Sequence, residues 1–193
     1  LEAMLSGTVA TIMKLGELRD PYTAGHERRV GQLAAAIGKR LGLDEHRVRG
    51  LEIMGRLHDV GKMSVPAETL VKPTRLSPIE FDLVKQHAEQ GYEILRHVAF
   101  PWPVAEAVWQ HHERCDGSGY PRGLAGDAIL LEARILGVAD VVEAMSSHRP
   151  YRPALGLDAA LAEVERGAGS VYDPAVAAHC LDVFRHDEFR FMD

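Results

Sequence analysis

The sequence predicts a single all-α domain, and three observations predict it. Apolar residues recur at three- and four-residue spacing through most of the chain. Helix start signals stand ahead of several of these stretches, at Asp44, Ser77 and Asp173. No segment alternates apolar and polar residues as a half-buried strand does, so almost no sheet is expected. A length of 193 residues suits one domain better than two.

Taken in order, Leu5, Val9, Ile12, Met13 and Leu15 through Leu18 mark a first helix that Asp20-Pro21 ends. A second runs from about His26 to Leu41, with Val30, Leu33, Ile37 and Leu41 on one face and Gly42 closing it. Asp44 caps a third that carries Val48, Leu51, Met54 and Leu57. Gly61 to Pro73, with two prolines and a glycine, reads as a loop. Ser77-Pro78-Ile79-Glu80 has the form of a capping box with proline at the first helical position. The helix it opens is expected to reach about Gln90, with another over Tyr92 to Val98. Pro101-Trp102-Pro103 then breaks the chain before a helix from Val104 to His112. Glu113 to Leu130 is glycine-rich and poor in apolar residues, too long to be mere connection. Leu131 to Met145 returns to helix, and Asp158 and Asp173-Pro174 each open one more.

Composition removes several classes. Hydrophobic residues are 46% and charged ones 26%, which excludes a disordered or collagen-like chain. The longest apolar run, Leu33 to Ile37, falls far short of the roughly 18 residues of a membrane span. Two cysteines cannot build a disulfide scaffold and point to the reducing cytoplasm. A net charge of −6 argues against binding to nucleic-acid polymers, but bound metal ions can reverse the field locally for a phosphate substrate. The opening Leu1-Glu2-Ala3-Met4 reads as the interior of a longer polypeptide. Ten histidines are the unusual number.

His58-Asp59 ends the third helix, and a His nitrogen beside a carboxylate with two oxygens can serve two ions. Alone the dipeptide is equally well a surface helix end. His111-His112 opens the glycine-rich loop, and paired imidazoles are hard to bury without polar partners. Asp140 sits among apolar neighbours in mid-helix, where an unpaired carboxylate is costly. His26 and His87 complete the candidates, each of which alone would be an ordinary solvated or satisfied histidine.

Together these residues resemble one family. His58-Asp59-Val60-Gly61-Lys62 is similar to the signature of the HD metal-dependent phosphohydrolases. His111-His112-Glu113, Asp116-Gly117 and Gly119-Tyr120-Pro121 resemble the longer signature of the HD-GYP branch, the cyclic-di-GMP phosphodiesterases. His87 with Gly91, and Asp140 with Arg149-Pro150-Tyr151-Arg152, follow that branch at similar spacing, so the likeness extends from about Asp20 to Val183.

The resemblance implies an HD-type bundle of seven to nine helices, with residues 1–20 a lead-in helix, 21–185 the catalytic domain and 186–193 a tail. It implies metal ligands at His26, His58, Asp59, His87, His111, His112 and Asp140. With Asp59 bridging, each of two divalent ions receives four protein bonds. Such a donor set suits iron or manganese, with nickel, cobalt or zinc as alternatives. Some relatives hold a third ion through a Glu where this chain has Tyr22, and a phenol of pKa near 10 is a poor ligand; a binuclear centre is therefore expected.

The activity implied is hydrolysis of c-di-GMP to pGpG, with further cleavage to GMP left open, by a hydroxide bridging the ions, with Asp59 and Lys62 catalytic. Lys62, Tyr120, Arg149 and Arg152 are the implied substrate contacts. Diguanylate cyclase (GGDEF) domains are the implied partners at the Gly-Tyr-Pro turn, and pairing of the first helix would make a homodimer. Two alternatives remain open: a c-di-GMP sensor with little turnover, and a hydrolase of another cyclic dinucleotide such as 3′,3′-cGAMP.

Overall fold

A computed structural model describes residues 2–19, 25–147, 154–187 and 189–191, and of residues 2–6 and 17–19 the backbone alone. Among the described residues there are nine α-helices of seven residues or more, one single α-helical turn and no strand. Helix α1 spans Glu2–Arg19, α2 His26–Arg40 and α3 Glu45–Leu57; a 3-10 turn follows at Val60–Ser64 and the single turn α4 at Ala67–Leu70. Helices α5 (Pro78–Lys85), α6 (His87–Leu95), α7 (Val104–Gln110), α8 (Leu131–Ser146), α9 (Leu157–Gly167) and α10 (Pro174–His186) complete the order.

Three of the start signals act as the sequence predicts, while Asp158 lies inside the first turn of α9, which opens at Leu157 after Gly156. Asp44 accepts a hydrogen bond from the Arg47 amide at 2.8 Å, and Asp173 accepts from Ala175 and Val176 at 2.9 and 3.0 Å. At α5 the capping box is reciprocal: Glu80 N–H donates to Ser77 Oγ at 3.3 Å, and Ser77 N–H to Glu80 Oε2 at 2.7 Å. The core lies between α2, α3, α7, α8 and α10, and is built from Val30, Leu33 and Ile37, Leu51, Met54 and Leu57, Val108, Leu136, Val142, Val176 and Val183. Helix α1 lays Val9 against this core, where it packs on α3 and the 3-10 turn. At the other end Phe189 and Phe191 close on Phe184.

Close backbone approach sets the geometry that matters later. Helices α2 and α3 cross at Gly31 and Gly55, where a Cβ on Gly55 would overlap the backbone of Gly31. Gly61 meets α6 in the same way: a Cβ there would overlap the His87 carbonyl.

Two expectations are corrected. Residues 61–73 are not plain loop, since the 3-10 turn and α4 occupy most of them. The segment runs under α6, and its buried amides need local partners, such as Lys62 N–H on Asp59 O at 2.9 Å. Nor does one helix run from Ser77 to Gln90. It breaks at Gln86, and α6 starts at His87 and ends at Leu95, short of Val98. The His87 ring is the reason: its Nδ1 lies 2.6 Å from Val84 O, a carbonyl otherwise available to the helix ladder.

Candidate metal centre

Four helix ends and one mid-helix position carry the candidate side chains to one place. His26 is the first residue of α2, after Gly25 in the left-handed region at φ +82°. His58 is the C-cap of α3 and Asp59 follows it. His87 begins α6, and His111 caps α7 with His112 next in line. Asp140 alone comes from mid-helix, on α8. Gly137, one turn earlier, lets that helix close on the His111 carbonyl, which a Cβ would meet at 2.8 Å. All seven are thereby brought together; His26, His58, His87 and His111 are almost wholly buried.

The donor atoms form two end groups, His26 with His58 and Asp140, and His87 with His111 and His112, joined by a third, His58 with Asp59 and His111, within 4.8 Å inside each. Asp59 faces both. Its Oδ2 is 3.3 Å from His58 Nε2 and 3.7 Å from His26 Nε2, while Oδ1 is 3.4 Å from His87 Nε2. Asp140 Oδ1 is 3.4 Å from His26 Nε2, and His87 Nε2 is 3.4 and 3.2 Å from the Nε2 atoms of His111 and His112.

Nitrogens so close cannot all be satisfied by one another. Among the described residues, the buried Nε2 atoms of His26 and His58 have no hydrogen-bond partner. An inward ring of imidazole nitrogens around two carboxylates is the donor set of a divalent-metal site, and the orphaned nitrogens are the observation that it fits.

Electrostatics divide the cluster. Burial pushes His111 down to about 3, helped by repulsion from His58 and His87, and it lowers His112 and His87 as well. At His26 burial also acts downward, but Asp140 and Glu143 outweigh it and raise the imidazole to about 9. His58 is raised against the same burial, chiefly by Asp59. Both carboxylates resist burial's upward push and are held well below the usual range, Asp59 by His58 and Lys62 and Asp140 by His26 and His58.

Four members of the cluster, Asp59, His87, His112 and Asp140, line a cleft of about 540 Å³ together with Lys62, Lys72, Arg75, Phe81 and Tyr120. Lys62 Nζ lies 2.5 Å from Asp59 Oδ2. The Tyr120 ring stacks on His112, centroids 4.7 Å apart, in a loop held from beneath by Glu113. That carboxylate accepts from the Arg122 and Leu124 amides at 2.8 and 2.9 Å.

Residues 10–176 match the family description "HD domain". The chain belongs to the HD domain family. Its motifs and relatives put it in the HD-GYP branch. This HD domain is 41% identical to the cyclic di-GMP phosphodiesterase response regulator RpfG of Xanthomonas campestris, over 91% of the chain and 46% of that protein. It is 38% identical to a cyclic di-GMP phosphodiesterase of Thermotoga maritima, over 97% of the chain and 53% of the relative. The HD domain thus spans about half the length of these curated relatives. Among solved structures, a cyclic GMP-AMP-specific phosphodiesterase of Vibrio cholerae superposes with TM-score 0.64 at 30% identity, covering 98% of this chain and 44% of that one.

Arg149, Arg152 and Tyr22 lie outside the described residues. Sequence reasoning missed Glu143, which packs against His26, and Arg29, which pairs with it at 2.6 Å. The available signal was a second acid one turn after Asp140 in an otherwise apolar helix. It also passed over Glu113, which organises the loop through backbone amides rather than facing the cleft.

Proposed function

We propose that this chain is the catalytic unit, residues 21–185, of a phosphodiesterase that opens c-di-GMP to pGpG. The observation that carries the reading is Asp59 reaching both donor groups, through different oxygens, at the floor of a cleft large enough for a dinucleotide. One ion is assigned to His26, His58 and Asp140, the other to His87, His111 and His112, with Asp59 shared; iron or manganese suits the imidazole-rich set. When bound, two such ions supply Lewis acidity toward phosphate oxygens and lower the pKa of water toward about 7.

The chain's own residues do the rest. Lys62 sets a cation beside Asp59 at the cleft floor, where it meets a non-bridging oxygen of the scissile phosphate as charge builds there. Tyr120, held flat by its stack on His112, offers a face for a purine. Arg149 and Arg152 are assigned to the outer phosphate or a guanine edge, both of which an Arg fork fits. The Gly-Tyr-Pro turn is assigned as the contact for a GGDEF domain.

The test is anaerobic loading with Fe²⁺ or Mn²⁺, metal counting, and separation of the products from c-di-GMP. Accumulation of pGpG is the expected result. A chain that holds two ions and leaves c-di-GMP intact overturns the reading. A second substrate is favoured by one observation, the 37% identity to a 3′3′-cGAMP-specific phosphodiesterase of Vibrio cholerae; parallel assays with 3′,3′-cGAMP measure that preference.

A further inference from the structure

Five histidines of the centre turn Nε2 inward, and four of them are held through Nδ1, though not alike. His58, His87 and His111 place Nδ1 on the backbone carbonyl three residues earlier, Gly55, Val84 and Val108, at 2.7, 2.6 and 2.6 Å. His26 opens its helix and has no such carbonyl within its own element. Its Nδ1 instead meets Oε2 of Glu143, a side chain 1% exposed.

Glu143 is in turn fixed by three donors on its other oxygen. Arg29 reaches Oε1 through Nε at 2.7 Å and Nη2 at 2.6 Å, and Ser147 Oγ does so at 2.7 Å. A carboxylate held this way is ionised and accepts only, so the proton between the two residues sits on His26 Nδ1. With a metal bound, the Nε2 lone pair is then the one left to it, on the side of Asp140 and Asp59. Carboxylate partners of this kind fix the tautomer and ring orientation of a ligating histidine and strengthen it as a donor, an effect of about 10- to 100-fold in metal affinity.

We propose that Glu143 is a positioning residue for the centre, selectively strengthening the ion assigned to His26, His58 and Asp140 over the ion assigned to the three other histidines. The inference rests on the metal assignment above and deepens it. Glu143 touches no substrate. Its effect passes through one imidazole, so it falls on one of the two ions.

The experiment loads the protein with Mn²⁺ and titrates it with EDTA, counting retained metal per chain. In Glu143→Gln, one ion leaves at about 10- to 100-fold weaker chelation while the other keeps its wild-type release point. In a His26→Ala background, adding Glu143→Gln moves neither release point, because the ring that transmits the effect is gone. Equal weakening of both ions, no weakening of either, or the same shift without His26 would each overturn the proposal. A measurement on wild-type protein stands apart from whether the variants fold. In the Zn²⁺-loaded chain, NMR should find His26 metallated at Nε2, with a slowly exchanging, downfield Nδ1–H; a metal on Nδ1 overturns the inference. No cyclic dinucleotide is used, so failure to hydrolyse c-di-GMP would defeat the assigned reaction and not this role.

Discussion

Asp59 and Lys62 are three residues apart and in contact, yet their substitutions should read out differently. Asp59 faces both donor groups, so Asp59→Ala should remove both ions together, seen as metal content falling toward zero in one step. A loss of only one ion would show that the two groups do not depend on a common carboxylate. Lys62 contributes charge without being a ligand. Lys62→Ala is expected to keep its metals and to lose about two to three orders of magnitude in turnover, the scale of deleting one donor to transition-state charge. Metal analysis and turnover on the same preparation check it, and unchanged turnover would remove Lys62 from the chemistry. At this scale the pair His111-His112 was legible, because adjacent imidazoles are hard to bury without polar partners, and Asp140 was legible through the other motifs around it. Glu143 was not legible, because it belongs to no motif and its partner His26 lies 117 residues away.

The helices were legible where local chemistry starts or stops them. Asp44, Ser77 and Asp173 cap their helices through bonds to amides two or three residues on, which a sequence can specify alone. The break at Gln86 escaped the reading because periodicity continues through it and a side chain, His87, causes it. The same region carries a prediction. Gly61 lies under the first turn of α6 with no room for a Cβ, so Gly61→Ala must push His87 away from Asp59. A loss of about 1–3 kcal/mol in urea unfolding is expected, the range for overfilling a packed contact. The ion assigned to His87, His111 and His112 should go with it, as half the metal content. Full stability and full metal content would show that α6 can shift without cost.

For the whole molecule, the histidines set opposing pH dependences in the metal-stripped protein. His26 and His58 bind protons more tightly folded than unfolded; their contribution is complete below about pH 6.5 and is lost as pH rises, for His26 through about 9. His87, His111 and His112 behave in the opposite sense. Below about pH 6.5 the unfolded chain takes up protons that these buried rings refuse, in the case of His111 down to about 3, so stability falls with acidification. Melting temperature of EDTA-treated protein should therefore peak near pH 6.5 and fall on both sides. Metal binding should remove the alkaline fall and steepen the acid one, since ligation requires all five rings to be without a proton at Nε2 while the unfolded chain still takes protons up below about pH 6.5. A melting temperature that rose steadily from pH 5 to 9 would contradict this division of the rings into protonated and neutral members.

Much of this protein was determined along the chain itself. The helical periodicity, the caps and the order of His58-Asp59, His87, His111-His112 and Asp140 are local facts, because each depends on residues within a turn or two. What only tertiary structure decided is how those facts combine. The crossing at Gly31 and Gly55, the closure of α6 on Gly61 and the approach of α8 at Gly137 bring four helix ends and one mid-helix position together from five parts of the chain. Only after that convergence does Asp59 face two groups of nitrogens, His26 meet Glu143 and the neighbouring carboxylates split the buried imidazoles into two charge states. Those properties depend on distances of 3–4 Å between residues far apart in sequence, and no local pattern specifies them.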